Sequence, residues 1–138
     1  MIIDSPESMV ALGVRIGSKL KAGDVLLLRG ELGAGKTALT RGIGVALGIE
    51  GVTSPTFVIT KIYPGSIPLV HVDAYRLIGQ EFATFDDLDL ESRIPQSITV
   101  IEWGSGFIER LVDSFIEIDI DFTESPTERV VQFKGIDL

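Results

Sequence analysis

The run Gly30-Glu31-Leu32-Gly33-Ala34-Gly35-Lys36-Thr37 satisfies the pattern G-x-x-x-x-G-K-[ST]. Each fixed position has a chemical task in a phosphate cradle. The glycines let the backbone come close to an anion, so that successive N–H groups converge on phosphate oxygens. The lysine supplies a point charge to β- and γ-phosphates, and the hydroxyl of Thr37 suits magnesium. Glu31, Leu32, Gly33, Ala34, Gly35, Lys36, Thr37 and Ala38 are therefore the candidate nucleotide contacts. A guanine-reading GTPase is expected to carry Asn-Lys-x-Asp and Asp-x-x-Gly. The chain has neither, and no Asn at all, so ATP with magnesium is the expected ligand.

A P-loop needs an acid near its magnesium, usually at the end of a second buried strand. Two acids qualify. Leu69-Val70-His71-Val72 ends in Asp73, and Ile98-Thr99-Val100-Ile101 ends in Glu102. Either could hold the metal while the other orients the attacking water. Around them lie side chains with two readings each. His71 would point to the same side of its strand as Asp73, yet a lone His is more simply a hydrogen-bonded structural residue. Arg76 could steady a transferring phosphoryl group or form a surface ion pair. Trp103 could pack in the core or lie against the adenine. Thr56, within Ser54-Pro55-Thr56-Phe57, could sense a γ-phosphate, although Ser-Pro before a strand reads first as a turn. Asp86, Asp87, Asp89 and Glu91 read as a solvated face, with docking of a basic partner the alternative.

The elements must deliver these residues to one place. The pattern needs a strand before the loop and a helix after it. Val25 to Leu28 supplies the strand. Lys36 to Leu47 supplies a helix weakened by Gly42 and Gly44 and ended at Gly48. Ser5-Pro6 forms a helix start, and Met9, Leu12, Ile16 and Leu20 predict a helix over residues 6–21. Phe57 to Tyr63 and Ile67 to Val72 flank Pro64-Gly65-Ser66 and predict an antiparallel hairpin. Glu81 to Glu91 reads as a short helix or loop, and Gly104 to Arg110 as a turn and short helix. Phe115 to Phe122 alternates apolar with acidic residues, and Val130 to Phe133 is its expected partner across Ser125-Pro126. The expectation is α/β: a single P-loop NTPase domain over residues 1–138, with a mixed β-sheet flanked by helices.

Composition narrows the function classes. A 45% hydrophobic content is enough for a real core, and no low-complexity tract interrupts it. The formal net charge of −8 argues against a free-standing nucleic-acid binder, which needs Lys and Arg for phosphate contacts. The absence of Cys excludes disulfides and thiolate metal sites. Met1 to Glu7 carries Asp4 and Glu7 and lacks the basic start and apolar core of a signal peptide. No run approaches the roughly 18 apolar residues of a membrane span. A cytoplasmic protein without membrane contact is expected.

Four motifs in order, GELGAGKT, SPTF (Ser54 to Phe57), HVDAYR (His71 to Arg76) and EW (Glu102-Trp103), resemble the bacterial TsaE family, formerly YjeE. The similarity runs from about residue 5 to residue 133. One departure is Gly104 after Glu102-Trp103, where many members have Pro. The resemblance implies an ATPase needed for N6-threonylcarbamoyladenosine at position 37 of tRNAs reading codons that start with A. It implies a two-protein threonylcarbamoyl-transferase partner complex, with tRNA met only indirectly. The expected catalytic residues are Lys36, Asp73 and Glu102, and Trp103 is counted among the candidate nucleotide contacts; carried over by motif, Thr37 and Glu102 would serve magnesium. Asp73 would support hydrolysis, and Ser54 to Phe57 would form a nucleotide-sensing loop.

Two other functions share the cradle. A nucleotide-dependent assembly module would bind ATP with incidental turnover. A small-molecule kinase would need an acceptor pocket and usually an Arg-rich lid, and the few scattered arginines after Thr37 supply neither.

Overall fold

Val25 to Leu28 is apolar at every position because it is covered on both sides. Leu26 and Leu28 enter one apolar layer, while Val25 and Leu27 enter the other. The computed structural model describes residues 1–53, 60–73, 90–102 and 108–138. In chain order the described elements are β1 (Ile2–Ile3), α1 (Pro6–Gly17), β2 (Val25–Gly30), α2 (Lys36–Ala46), β3 (Thr60–Tyr63), β4 (Leu69–Asp73), α3 (Leu90–Arg93), β5 (Ile98–Glu102), β6 (Ile116–Phe122) and β7 (Arg129–Lys134). Short 3-10 turns occupy Ile94–Gln96 and Ile108–Arg110.

Seven strands among the described residues form one mixed sheet in the order β1-β7-β6-β2-β5-β4-β3. β2 lies parallel to both β6 and β5, and β5 is parallel to β4. The β1–β7, β6–β7 and β3–β4 pairs are antiparallel. Met9, Leu12 and Ile16 of α1 and Leu39 and Ile43 of α2 pack with Leu26, Leu28, Ile98, Val100, Ile118 and Ile120. The opposite layer joins Val25, Leu27, Val70, Val72 and Ile101 to Ile94 and Ile108. Helices thus flank a mixed sheet, in agreement with the α/β expectation. No helix among the described residues is long and apolar enough to cross a membrane.

Local chemistry sets the element ends. Ser5 Oγ accepts from the Ser8 N–H at 3.1 Å, and Pro6 opens α1. The helix stops at Gly17, short of the predicted end at Lys21. There the N–H groups of Lys19 and Leu20 bond three residues back, to Ile16 and Gly17, a tighter closing turn. Leu20 still reaches the core, which is why its spacing looked helical. β2 continues past the predicted Leu28 to Gly30, and α2 ends at Ala46. The hairpin is present as β3 and β4, with residues 57–59 of its predicted first strand outside the described residues. β1 has no counterpart in the sequence reading, since two apolar residues carry no periodicity.

The acids of β6 have a partner that spacing alone did not provide. Arg29 Nε donates to Asp119 Oδ1 at 2.6 Å, and Nη2 donates to Glu117 Oε1 at 3.1 Å. The Asp119 hydrogen bond, reinforced by both carboxylate charges against the effect of burial, holds the Arg29 guanidinium above its usual pKa. Ile118 and Ile120 point to the helix layer between them.

Candidate functional site

The loop from Gly30 to Gly35 turns the chain from β2 into α2. Two of its glycines have backbone angles that side chains rarely adopt, with φ of +84° at Gly33 and +116° at Gly35. Gly35 is the N-cap of α2 and provides no side-chain cap. Such a helix start, ringed by turning backbone, favours an anion. Glu31, Leu32 and Gly33 are exposed at the crest, Ala34 is buried, and Thr37 and Ala38 are half-buried in the first turn of α2. Met9 of α1 lies beneath, and a Cβ at Gly35 would stand 3.2 Å from its Cε.

Strand alternation then decides which side chains meet the loop. Leu69 of β4 and Ile98 and Val100 of β5 face the α1–α2 layer. With side chains alternating between faces, His71, Asp73 and Glu102 face the same way. The parallel register places Asp73 beside Glu102, and Leu28, two residues before Gly30, on the other side of Glu102. Both predicted acids therefore lie at the carboxyl ends of adjacent strands, next to the end of β2. Ligands of open α/β sheets gather in this crevice.

The side chains form a buried chain of contacts. Lys36 Nζ donates to the Gly30 carbonyl at 2.6 Å and lies 3.6 Å from Glu102 Oε1. Glu102 Oε2 lies 2.6 Å from His71 Nε2. A carboxylate only accepts, so His71 Nε2 carries the proton and donates. His71 is 0% exposed, Glu102 6% and Lys36 8%. Burial of a carboxylate is tolerable only when it is paired and hydrogen-bonded, and here each oxygen has a cationic or N–H neighbour. Asp73 is half-buried at the end of β4.

Of the residues singled out in the sequence, the structure brings Lys36, Glu102 and His71 into direct contact, with Asp73 one strand away. The motif pairing of His71 with Asp73 holds as a shared face, but the hydrogen bond of His71 goes to Glu102. That partner could not be read from spacing within one strand, because it is a diagonal neighbour on the next strand. Ser54 to Phe57, Arg76, Asp86, Asp87, Asp89 and Trp103 lie outside the described residues.

The site can receive an anion at the loop and hold charge of both signs beside it. Among the described residues no three His, Cys, Asp or Glu side chains cluster as a closed metal cage. Thr37, Glu102 and Asp73 instead offer a few hard oxygen donors. Such a set fits magnesium, which keeps several waters and takes phosphate oxygens as ligands.

Residues 3–131 match the family described as threonylcarbamoyl adenosine biosynthesis protein TsaE. The Streptomyces coelicolor protein named tRNA threonylcarbamoyladenosine biosynthesis protein TsaE is 50% identical over 117 residues, covering 82% of this chain and 78% of that protein. The protein of the same name from Bacillus subtilis is 36% identical over 135 residues, covering 96% and 82%. The crystal structure of Bacillus subtilis YdiB superposes with a TM-score of 0.76 at 35% identity, covering 96% of this chain and 82% of that one. These matches bear out the resemblance drawn from GELGAGKT, SPTF, HVDAYR and EW. The chain belongs to the TsaE family.

Proposed function

We propose that this chain is a magnesium-dependent ATP-binding protein and a weak, partner-stimulated ATPase of the cytoplasm, acting in tRNA threonylcarbamoyladenosine biosynthesis. The observation that carries the ATPase reading is the placement of Lys36 and Glu102. They lie 3.6 Å apart where the P-loop meets the ends of the parallel strands. The biosynthetic role is supported by family membership and by the names of the relatives. Residues 1–138 are read as one P-loop domain.

Backbone N–H groups from Glu31 to Ala38 would surround the phosphates. The Lys36 ammonium would exchange its bond to the Gly30 carbonyl for phosphate oxygens. Thr37 and Glu102 would hold magnesium, which when bound neutralises charge developing on the phosphate oxygens. Asp73, beside Glu102 in register, would orient the attacking water. Trp103 is assigned to the nucleotide. No acceptor is needed other than water, so the reaction is hydrolysis of the γ-phosphate. The expected partner is a two-protein threonylcarbamoyl-transferase complex, through which tRNA is met indirectly.

The test compares ATP hydrolysis with and without that complex, and measures ATP-analogue affinity by calorimetry for the wild type and Lys36→Ala. Slow hydrolysis that rises with the complex is expected. Lys36→Ala should weaken analogue binding at least about tenfold, since a hydrogen bond to a charged group contributes about 1.5–3 kcal/mol. Unchanged affinity would remove the P-loop from the mechanism. Hydrolysis indifferent to the complex, with complex affinity still set by the nucleotide, would favour an assembly module instead.

A further inference from the structure

The two oxygens of Glu102 are divided between different neighbours. Oε2 is 2.6 Å from His71 Nε2, on the buried side of the site. Oε1 is the oxygen turned to Lys36 Nζ and the loop, at 3.6 Å. We propose that His71 is the positioning residue for Glu102: by donating to Oε2 it fixes the rotation of the carboxylate and presents Oε1 to the cation that accompanies a nucleotide. The inference rests on the magnesium-nucleotide reading of the site.

Three observations carry it. His71 is fully buried, so no water competes for the bond to Glu102. The bond is short and charge-assisted, the kind that fixes geometry most firmly. Finally, His71 Nδ1 is buried with no hydrogen-bond partner among the described residues. An unpaired buried polar atom costs stability, and an apolar side chain at this position would avoid that cost. A residue present only to fill the core has no reason to be His. Among the described residues, the ring's nitrogen contact is to Glu102. Groups that orient a metal ligand typically set its metal affinity by about 10–100-fold.

The experiment uses the full chain and reads binding rather than turnover. Calorimetry gives ADP affinity with magnesium and with EDTA, and the ratio is the magnesium gain. Three variants separate the roles. His71→Gln keeps an N–H near the position of Nε2, His71→Asn keeps polarity but places its amide short of Glu102, and His71→Leu fills the space without a donor. We expect Asn and Leu to lose about tenfold or more of the magnesium gain. Their EDTA affinity should stay at the wild-type value, and Gln should keep most of the gain. Equal gain in Asn and wild type overturns the inference alone. Affinities with and without magnesium falling together, with no rescue by Gln, also overturn it, as does failure of both the Asn and the Leu variant to fold, which assigns His71 to the core. A wild type with no magnesium gain overturns the site reading and this inference with it.

Discussion

Glu102 carries the heaviest constraint of any residue in the site, because it is a buried carboxylate with a lysine on one oxygen and a histidine on the other. Removing one partner of such a group leaves the rest desolvated and unpaired, which is costly. A test of its chemistry should therefore keep its shape. We expect Glu102→Gln to fold, since its amide oxygen can still accept from His71, but to melt lower than the wild type, because buried Lys36 loses the anion that faces it. Its magnesium-dependent hydrolysis should drop about a hundredfold, the usual scale for losing one preorganised charge-stabilising group. Wild-type hydrolysis at equal magnesium would instead give the metal role to Asp73. Both acids were legible in the sequence as the polar ends of apolar strands. Their placement relative to the P-loop strand was not. It depends on the parallel register that places Glu102 between β2 and Asp73, and register follows from the neighbours of a strand rather than from its own residues.

The P-loop helix carries Gly42 and Gly44, and by intrinsic propensity each costs about 1 kcal/mol relative to Ala. Packing reverses that reading. A Cβ at Gly42 would stand 2.1 Å from the Val10 carbonyl oxygen, and one at Gly13 of α1 would stand 2.1 Å from the Leu39 carbonyl oxygen. The two helices therefore cross with their backbones nearly touching, and glycine is the residue that permits it. A Cβ at Gly44 would meet Val52 Cγ2 at 2.7 Å. The sequence showed where α2 begins and ends, because the lysine and Gly48 mark it. It could not show why the helix tolerates breakers, since the reason lies on α1. The sign of a substitution decides the matter. Gly42→Ala should destabilise the fold by about 2–3 kcal/mol through overpacking, where propensity alone would give a gain of about 1 kcal/mol. Urea denaturation reads the difference. The effect should extend to nucleotide affinity, because α1 also supports the loop through Met9 beneath Gly35. A stabilised Gly42→Ala would mean that the helices do not cross this closely.

At the scale of the whole molecule, strands were readable as apolar runs, but their order was not. β5 lies between β2 and β4 although it follows β4 in the chain, and that insertion creates the crevice where the acids meet the P-loop. Charge is the property that sequence and molecule share without translation. Twelve basic against twenty acidic residues give −8, and the most buried of the lysines, Lys36, is committed to the loop. Phosphate backbones are bound mainly by Lys and Arg displacing counterions, so an acidic chain starts with repulsion rather than attraction. Arg29, a surface arginine, is already held by Asp119 and Glu117. We therefore expect the isolated chain to bind tRNA more weakly than about 0.1 mM at physiological salt, the weak end of non-specific affinity. Fluorescence anisotropy with labelled tRNA measures this, with and without ATP analogue. Adding the threonylcarbamoyl-transferase complex should bring the chain and the tRNA into one assembly, because the contacts then pass through protein. Micromolar binding by the chain alone, falling steeply with salt, would show that its few Lys and Arg side chains suffice for phosphate contacts despite the net charge. It would make tRNA a direct ligand.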